Sequence, residues 1–331
     1  MQDQYGRVID YLRISVTDQC NLRCVYCMPR EENLRFLPKD ELLTDEEIVR
    51  LCRIFADIGI SRIKFTGGEP LLRKGLADLV FRIGQIPGVK EMTLTTNGVL
   101  LKDQIGALYQ SGISSVNISL DAAQKEHFSS IAGIDYFEQV MEGFEEAKKY
   151  PMTVKINCVL ARELNEGQWL SLAEYAKDAK VDVRFIEMMP IGTGKQYTSG
   201  GQDELLARIK ERYGDVEEQK EKGNGPAIYY KVQGFLGRIG FISAMSHKFC
   251  SQCNRIRLTA DGVLKPCLQY ESHVELKRML RQGRTEHELT ELIVKSIFQK
   301  PKEHKFQEQQ EKRCDLTGNM LEKKKMSEIG G

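Results

Sequence analysis

Three cysteines on one short stretch, Cys20, Cys24 and Cys27, are spaced C-x3-C-x2-C. Residues 11–16, with β-branched and aromatic side chains in rough alternation, read as a β-strand, so the thiols fall on the loop that leaves it. Three thiolates on such a loop can converge on one metal centre. A four-iron cluster has four corners and takes thiolate ligands; three cysteines leave one iron open to a small molecule. A structural zinc site closes four ligands around the ion, so zinc or a disulfide cluster is the alternative reading.

A second triplet, Cys250, Cys253 and Cys267, is spaced C-x2-C-x13-C. Residues 254–265 read as a hairpin turning at Asp261-Gly262, which would bring Cys267 back beside the pair. With His247 as a fourth ligand this could be a closed zinc site; without it, it is a second cluster with an open iron. Arg255 and Arg257 lie two apart on the first strand of that hairpin and so share one face. Arginine forks bind phosphate oxygens bidentately, so a pair beside a metal site suits a polyphosphate. An exposed strand face is the bland alternative.

Composition narrows the class. The 331 residues carry 48 Lys+Arg against 47 Asp+Glu, a formal charge of +1, which supports neither a nucleic-acid nor a membrane footprint. There is no apolar run of about 18 residues, and the polar start Met1-Gln2-Asp3 is not that of a signal peptide. Nine cysteines without an export signal point to metal ligation in a reducing, cytoplasmic setting. Cys52 and Cys158 read as core residues and Cys314 as incidental.

The elements that must position these groups alternate. Strands are expected at 11–16, 62–66, 90–96, 114–120, 152–160 and 181–187. Helices are expected between them, at 75–85, 102–110, 136–149 and 167–179, with a Thr44/Glu47 capping box opening another. This is a parallel βα repeat. Polar residues sit at the strand ends, among them Thr66-Gly67-Gly68-Glu69-Pro70, Thr95, Ser119, Asp121, Asn157 and Glu187, where such a fold gathers its chemistry. Gly192-Thr-Gly-Lys195 is not a phosphate loop, since Met189 and Gln196 break its pattern. A boundary is expected near 195–200, giving units 1–195 and 196–331, with residues 196–226 polar and charged.

The first triplet, with Tyr26 before its last cysteine, resembles the signature of the radical S-adenosylmethionine (SAM) superfamily. Adding Phe249-Cys250-Ser-Gln-Cys253-Asn-Arg255-Ile256-Arg257-Leu258 and the terminal Gly330-Gly331, the sequence from about residue 5 to 331 resembles the GTP 3′,8-cyclase family. That resemblance implies an incomplete TIM-like (βα)6 barrel with a C-terminal α+β region holding a second Fe–S site. It implies two [4Fe-4S] clusters, on Cys20, Cys24 and Cys27 and on Cys250, Cys253 and Cys267. It implies SAM contacts at Tyr26, Gly67, Gly68, Glu69, Ser119 and Met189, and GTP contacts at Arg13, Lys64, Thr95, Lys155, Arg255, Ile256 and Arg257. Arg13, Arg255, Arg257, Gly330 and Gly331 match residues that serve the reaction. The expected chemistry is reductive cleavage of SAM, hydrogen abstraction from the ribose of GTP and closure to 3′,8-cyclo-7,8-dihydro-GTP, the first step of molybdenum cofactor biosynthesis. A flavodoxin- or ferredoxin-like reductant, a homodimer and delivery of product to the next enzyme are further expectations. The departures are Gln19, and Lys64 where arginine is frequent. A peptide-modifying radical SAM enzyme and a non-catalytic metal-binding protein are the rival readings.

Overall fold

The structure, a computed structural model, describes residues 1–28, 35–219, 225–272, 274–306, 321–322 and 324–330. Six strands follow the alternating segments: β1 (Tyr11–Ser15), β2 (Arg62–Thr66), β3 (Glu91–Thr96), β4 (Ile113–Ser119), β5 (Thr153–Leu160) and β6 (Asp182–Glu187). They lie side by side in chain order and pair in parallel. The repeat is thus the open (βα)6 part of a TIM-like barrel.

Alternation sorts the two faces. Leu12, Ile14, Ile63, Phe65, Val116, Ile118, Ile156, Cys158, Val183 and Phe185 face the helices and are at most 1% exposed. They share one core with Leu51, Cys52, Phe55, Leu79, Ile83, Ile105 and Leu108 from the helices Asp45–Asp57, Leu76–Gly84 and Leu101–Gln110. The first of these helices opens on the expected box: Thr44 Oγ1 accepts from Glu47 N at 3.2 Å, and the Glu47 carboxylate accepts from Thr44 N at 2.8 Å. The opposite strand face carries Arg13, Lys64, Thr93, Thr95, Asn117, Lys155 and Arg184. A parallel sheet is normally apolar on both faces. A polar inner face therefore marks the side reserved for something other than core.

An open six-stranded sheet leaves two edges, and the last third of the chain covers both. Its strands are β7 (Val216–Gln219), β8 (Ile228–Val232), β9 (Ile239–Ile242), β10 (Arg255–Leu258), β11 (Val263–Lys265) and β12 (Val274–Glu275). β9 pairs in parallel with β6 and β10 in parallel with β1, while β8–β7 and β11–β12 add antiparallel flanks. Among the described residues the result is one twelve-stranded sheet, with strands from both sides of residue 195.

Two stretches differ from expectation. The helix expected over 167–179 is a helix only over Trp169–Ala173, between 3-10 turns at Glu166–Gln168 and Glu174–Ala176. A short helix, Arg162–Asn165, precedes it, and Asn165 anchors the stretch: its side-chain amide donates to the carbonyls of Asp121 and Val159, and its Oδ1 accepts from Trp169 Nε1 at 2.8 Å. The polar stretch 196–226 holds an unexpected helix, Gln202–Tyr213, which buries Leu205 and Ile209 fully.

Candidate active site

Cys20, Cys24 and Cys27 follow β1 on a loop held from beneath by the turn after β2. The Gly68 N–H donates to the Thr17 carbonyl at 2.8 Å and that of Glu69 to the Gln19 carbonyl at 2.7 Å. A Cβ on Gly67 would stand 2.3 Å from Thr17 O, and one on Gly68 2.3 Å from Gln19 O, so glycine is required by this approach. Glu69 is fully buried. Its oxygens accept from Leu71 N at 2.9 Å, Thr96 Oγ1 at 2.7 Å and Asn97 N at 2.6 Å, which ties the ends of β2 and β3 together. The carboxylate of Glu69 and the N–H of Gly68 are thus engaged within the chain.

The three thiols suit a shared metal centre. Burial raises all three: Cys24 lies well above its ordinary range, with Cys27, Asp121 and Cys20 adding to it, and Cys27 is pushed up to about 12, with Cys20 adding to it. Closely held, desolvated thiols of this kind become thiolates when iron supplies the opposing charge. Cys20 Sγ accepts from Leu22 N at 3.4 Å and from Asn97 Nδ2 at 3.7 Å, the kind of outer contact that orients metal ligands. Among the described residues, no three Cys, His, Asp or Glu side chains close in as a single ion would need.

Beside this loop lies a small cavity lined by Leu22, Tyr26, Asn97, Ser119, Asp121 and Phe128. Tyr26 donates to Asp121 Oδ2 at 2.5 Å, and Asp121 Oδ1 accepts from Val159 N at 2.8 Å. Burial lifts the Asp121 carboxyl to about 6 against these bonds. Met189, after β6, packs with Ile191, Phe306 and Ile329.

The inner face below is cationic. The register places Arg257, Arg13 and Lys64 side by side on β10, β1 and β2, with Arg255 beside Tyr11. Three cations at one level of adjacent strands repel, and burial aggravates it. Arg13 is lowered to about 10, by burial and then by Arg255 and Arg184. Lys64 falls well below its ordinary value by burial, then Arg184 and Arg13; Arg257 does so by burial, then Arg13 and Arg255. Lys155 is lowered to about 8, by burial and then Arg184. Nearby acids are engaged elsewhere: Asp10 with Arg62 and Asn254, Asp182 with Arg238 at 2.8 Å. A cavity of about 230 Å³ opens here, lined by Lys64, Thr93, Ser115, Asn117, Lys155 and Arg184 among others. Thr93 Oγ1 is buried there with no hydrogen-bond partner. This is a seat for a polyanion with hydroxyl groups.

Cys250 and Cys253 immediately precede β10, and Cys267 follows β11, the antiparallel neighbour of β10. Burial raises Cys250, with Cys267 and Cys253 adding to it. Burial works against Cys253 too, yet Lys300 and Arg255 bring it down to about 7. Lys300 Nζ also donates to the Arg255 carbonyl at 2.9 Å, and Arg7 Nη1 to the Cys250 carbonyl at 2.9 Å. His247 is exposed, and its Nδ1 meets the Ser246 hydroxyl at 2.9 Å.

Because β1 and β10 run in parallel, the first triplet, after β1, and the second, before β10, sit at opposite ends of one strand pair. Five residues of strand separate them, on the order of 16 Å, with Arg13, Arg255, Arg257 and Lys64 between. Ile256 points the other way: it is fully buried, and its backbone is paired with Leu12. Thr95 Oγ1 accepts from Asn117 Nδ2 at 3.3 Å. Gly330 reaches this same level. Its carbonyl accepts from Arg257 Nη1 at 2.6 Å, and it takes φ of 72° with Ser15 Cβ 3.0 Å from where its own Cβ would be. Gly331 lies outside the described residues, as does Cys314.

Sequence reasoning missed Arg184 and Lys300. Arg184 is buried, donates from Nε to Asn157 Oδ1 at 2.9 Å and from Nη2 to Asn117 Oδ1, and faces the cationic cavity. Its signal was available: a charged residue two after Asp182 in an otherwise apolar strand shares the inner face. Lys300 has no local signal, since it lies just past the helix Glu286–Phe298 and reaches the thiols only in the fold.

Comparison with known proteins matches this arrangement. The Radical SAM superfamily model matches residues 14–176 and the Molybdenum Cofactor Synthesis C model residues 181–306. Crystal structures of Streptococcus suis SuiB share the fold: the complex with its precursor peptide SuiA has a TM-score of 0.61 at 14% identity, covering 93% of this chain and 68% of that one. The SAM complex of SuiB has a TM-score of 0.58 at 15% identity, covering 79% and 60%. Molybdenum cofactor biosynthesis protein 1 of Mus musculus is 42% identical over 92% of this chain and 48% of its own length. The GTP 3′,8-cyclase of Thermodesulfovibrio yellowstonii is 42% identical over 91% of this chain and 94% of its own. With the GTP 3′,8-cyclase of Clostridium perfringens strain 13 the identity is 43% over 100% of both chains, and this chain belongs to the GTP 3′,8-cyclase family of radical SAM enzymes.

Proposed function

We propose that this chain converts GTP to 3′,8-cyclo-7,8-dihydro-GTP, the first step toward the molybdenum cofactor. The observation that carries the reading is the row Arg257–Arg13–Lys64 held between two thiol triplets on one strand pair. Cys20, Cys24 and Cys27 would hold one [4Fe-4S] cluster and Cys250, Cys253 and Cys267 the other. The first cluster with SAM supplies a hydrogen-abstracting radical when bound.

The chain's own residues bind and orient. Arg13, Arg255, Arg257, Lys64, Lys155 and Arg184 neutralise the triphosphate. That anion in turn relieves the mutual repulsion that depresses Arg13, Lys64, Lys155 and Arg257. Thr93 and Thr95 offer hydroxyls to the nucleoside. Tyr26, Gly67, Ser119 and Met189 lie around SAM, with Gly68 and Glu69 holding the loop beneath it. Gly330 fixes Arg257 through its carbonyl. In GTP the C3′–H bond breaks, C3′ bonds to C8, and one electron and one proton return to the ring, so the product is an isomer of GTP. Fixing C3′ and C8 in attack geometry is a proximity effect.

The reading includes a flavodoxin- or ferredoxin-like electron donor, a homodimer, a cytoplasmic setting and a further enzyme of the pathway that takes the product. Among the described residues, no helix is long and apolar enough to cross a membrane. Peptide modification has no comparable observation behind it, because a disordered peptide does not need this row of cations. The test is anaerobic incubation with GTP, SAM and dithionite, with mass analysis of the nucleotides. A GTP isomer that elutes apart from GTP supports the reading, and unchanged GTP beside cleaved SAM sinks it.

A further inference from the structure

The second triplet sits on two separate arms. Cys250 opens the 3-10 turn Cys250–Gln252, Cys253 leads from it into β10, and Cys267 lies past the end of β11. The ladder that joins β10 to β11 ends at the pair Arg257–Lys265. Pro266 has no N–H to carry it further, so the thiols lie beyond the last paired residues. Lys300 spans the two arms there: its Nζ donates to the Arg255 carbonyl at 2.9 Å and to the Pro266 carbonyl. Arg255 stands two residues after Cys253, and Pro266 immediately precedes Cys267.

The lysine is itself held. It is 3% exposed, and its backbone N–H donates to the Ile297 carbonyl, in the last turn of the helix Glu286–Phe298, at 3.1 Å. Arg7 locks the residues that follow: Nη1 donates to the carbonyls of Lys302 at 2.8 Å and Cys250 at 2.9 Å, Nη2 to that of Pro301 at 2.7 Å, and Nε to Asp3 at 2.6 Å. Lys300 therefore reaches the arms from a fixed base.

We propose that Lys300 is a positioning residue for the second triplet and for Arg255: its ammonium replaces the missing ladder bonds and fixes the spacing of the two thiol-bearing arms. This rests on the proposed function in taking the triplet as cluster ligands and Arg255 as part of the GTP seat. A charged donor suits the task twice over. Hydrogen bonds from an ammonium are stronger than those from a neutral group, and a buried ammonium needs opposing charge, which three thiolates on the arms it joins would supply. Lys300 acts through the backbone and touches no reacting atom.

The test compares wild type, Lys300→Met, which keeps the length without the donor, and Lys300→Arg, which keeps the donors and the charge. In the anaerobic holoenzyme, release to an iron chelator of about four of about eight irons should quicken about three- to tenfold in Lys300→Met, while the signal that responds to SAM in electron paramagnetic resonance persists as in wild type. The GTP concentration at half-saturation, by equilibrium dialysis, should rise by a similar factor and that of SAM should not. Lys300→Arg should restore both readings toward wild type. Wild-type behaviour of Lys300→Met in either measurement overturns the proposal, as does equal acceleration at both clusters, which marks a general loss of stability. Should Lys300→Met not fold, Lys300→Gln, which loses only the charge and keeps a donor, takes its place with a smaller shift of the same sign. In iron-free protein, hydrogen exchange of peptides covering 254–268 should quicken several-fold in the variant and that of β3 and β4 should not; equal exchange overturns the tie. Zinc at the second triplet in anaerobically prepared protein would overturn the proposed function instead, and the exchange comparison would still decide whether Lys300 joins the arms.

Discussion

Gly68→Ala should empty the first cluster site while sparing the second. A Cβ on Gly68 would stand 2.3 Å from the Gln19 carbonyl oxygen and 2.5 Å from that of Asp18. That is roughly 1 Å short of ordinary contact. Both obstacles are backbone of the loop that carries Cys20, so the loop must retreat. Retreat stretches the bonds from Gly68 N to Thr17 O, 2.8 Å, and from Glu69 N to Gln19 O, 2.7 Å. Overpacking of about 1–3 kcal/mol and two weakened bonds of about 0.5–1.5 kcal/mol each together come to about 2–6 kcal/mol, concentrated on the thiol loop. After anaerobic reconstitution, iron per chain should fall from about eight to about four, with SAM cleavage lost and far-ultraviolet circular dichroism retained. Gly75→Ala is the control. Gly75 has φ of 77° but nothing within 4 Å of a new Cβ, so it bears only backbone strain of about 1–2 kcal/mol and should load iron fully. The reasoning fails if Gly68→Ala loads both clusters, or if Gly75→Ala loses as much iron.

Other outcomes follow from the same geometry. Cys267→Ser should remove the second cluster, keep SAM cleavage and abolish cyclisation; zinc in place of iron at that triplet, in anaerobically prepared protein, would contradict it. Arg184→Met should weaken GTP binding by about 1.5–3 kcal/mol and leave SAM binding near wild type; equilibrium dialysis showing unchanged GTP affinity would remove Arg184 from the substrate seat. Burial lifts the Glu69 carboxyl from an ordinary 4.5 to about 7, against the bonds from Asn97, Leu71 and Thr96. A raised carboxyl stabilises the fold fully below its unfolded value and loses that contribution as pH rises through the folded one. The stability of iron-free wild type relative to Glu69→Gln should therefore fall between about pH 4.5 and 7 and then level off; a difference that is flat with pH in chemical denaturation would refute it.

The parallel repeat was legible because alternation in β1 to β6 is a local property: Leu12 and Ile14 against Arg13 already assign two faces. The thiol triplets were legible for a similar reason, since ligand spacing is written into the loop. What was not legible is tertiary. That β9 and β10 extend both edges of the sheet depends on which free edge a strand meets, and no short window of sequence carries that. Lys300 reaches Cys253 from beyond a helix, and Glu322 meets Lys265 from 57 positions away. Gly67 and Gly68 illustrate a different limit. Their types suggested room for a ligand, whereas the closest approach they permit is that of the cysteine loop itself. Ile256 was expected to contribute its backbone between the two arginines; the strand period turns its side chain away from them, and its backbone pairs with Leu12.

The central claim is that this chain draws a hydrogen atom from the ribose of GTP and closes the 3′–8 bond. GTP deuterated at C3′, incubated anaerobically with SAM and dithionite, puts it to the most direct test. The account predicts 5′-deoxyadenosine carrying one deuterium, formed together with a GTP isomer that has lost it. Unlabelled 5′-deoxyadenosine beside unchanged, fully deuterated GTP would contradict it.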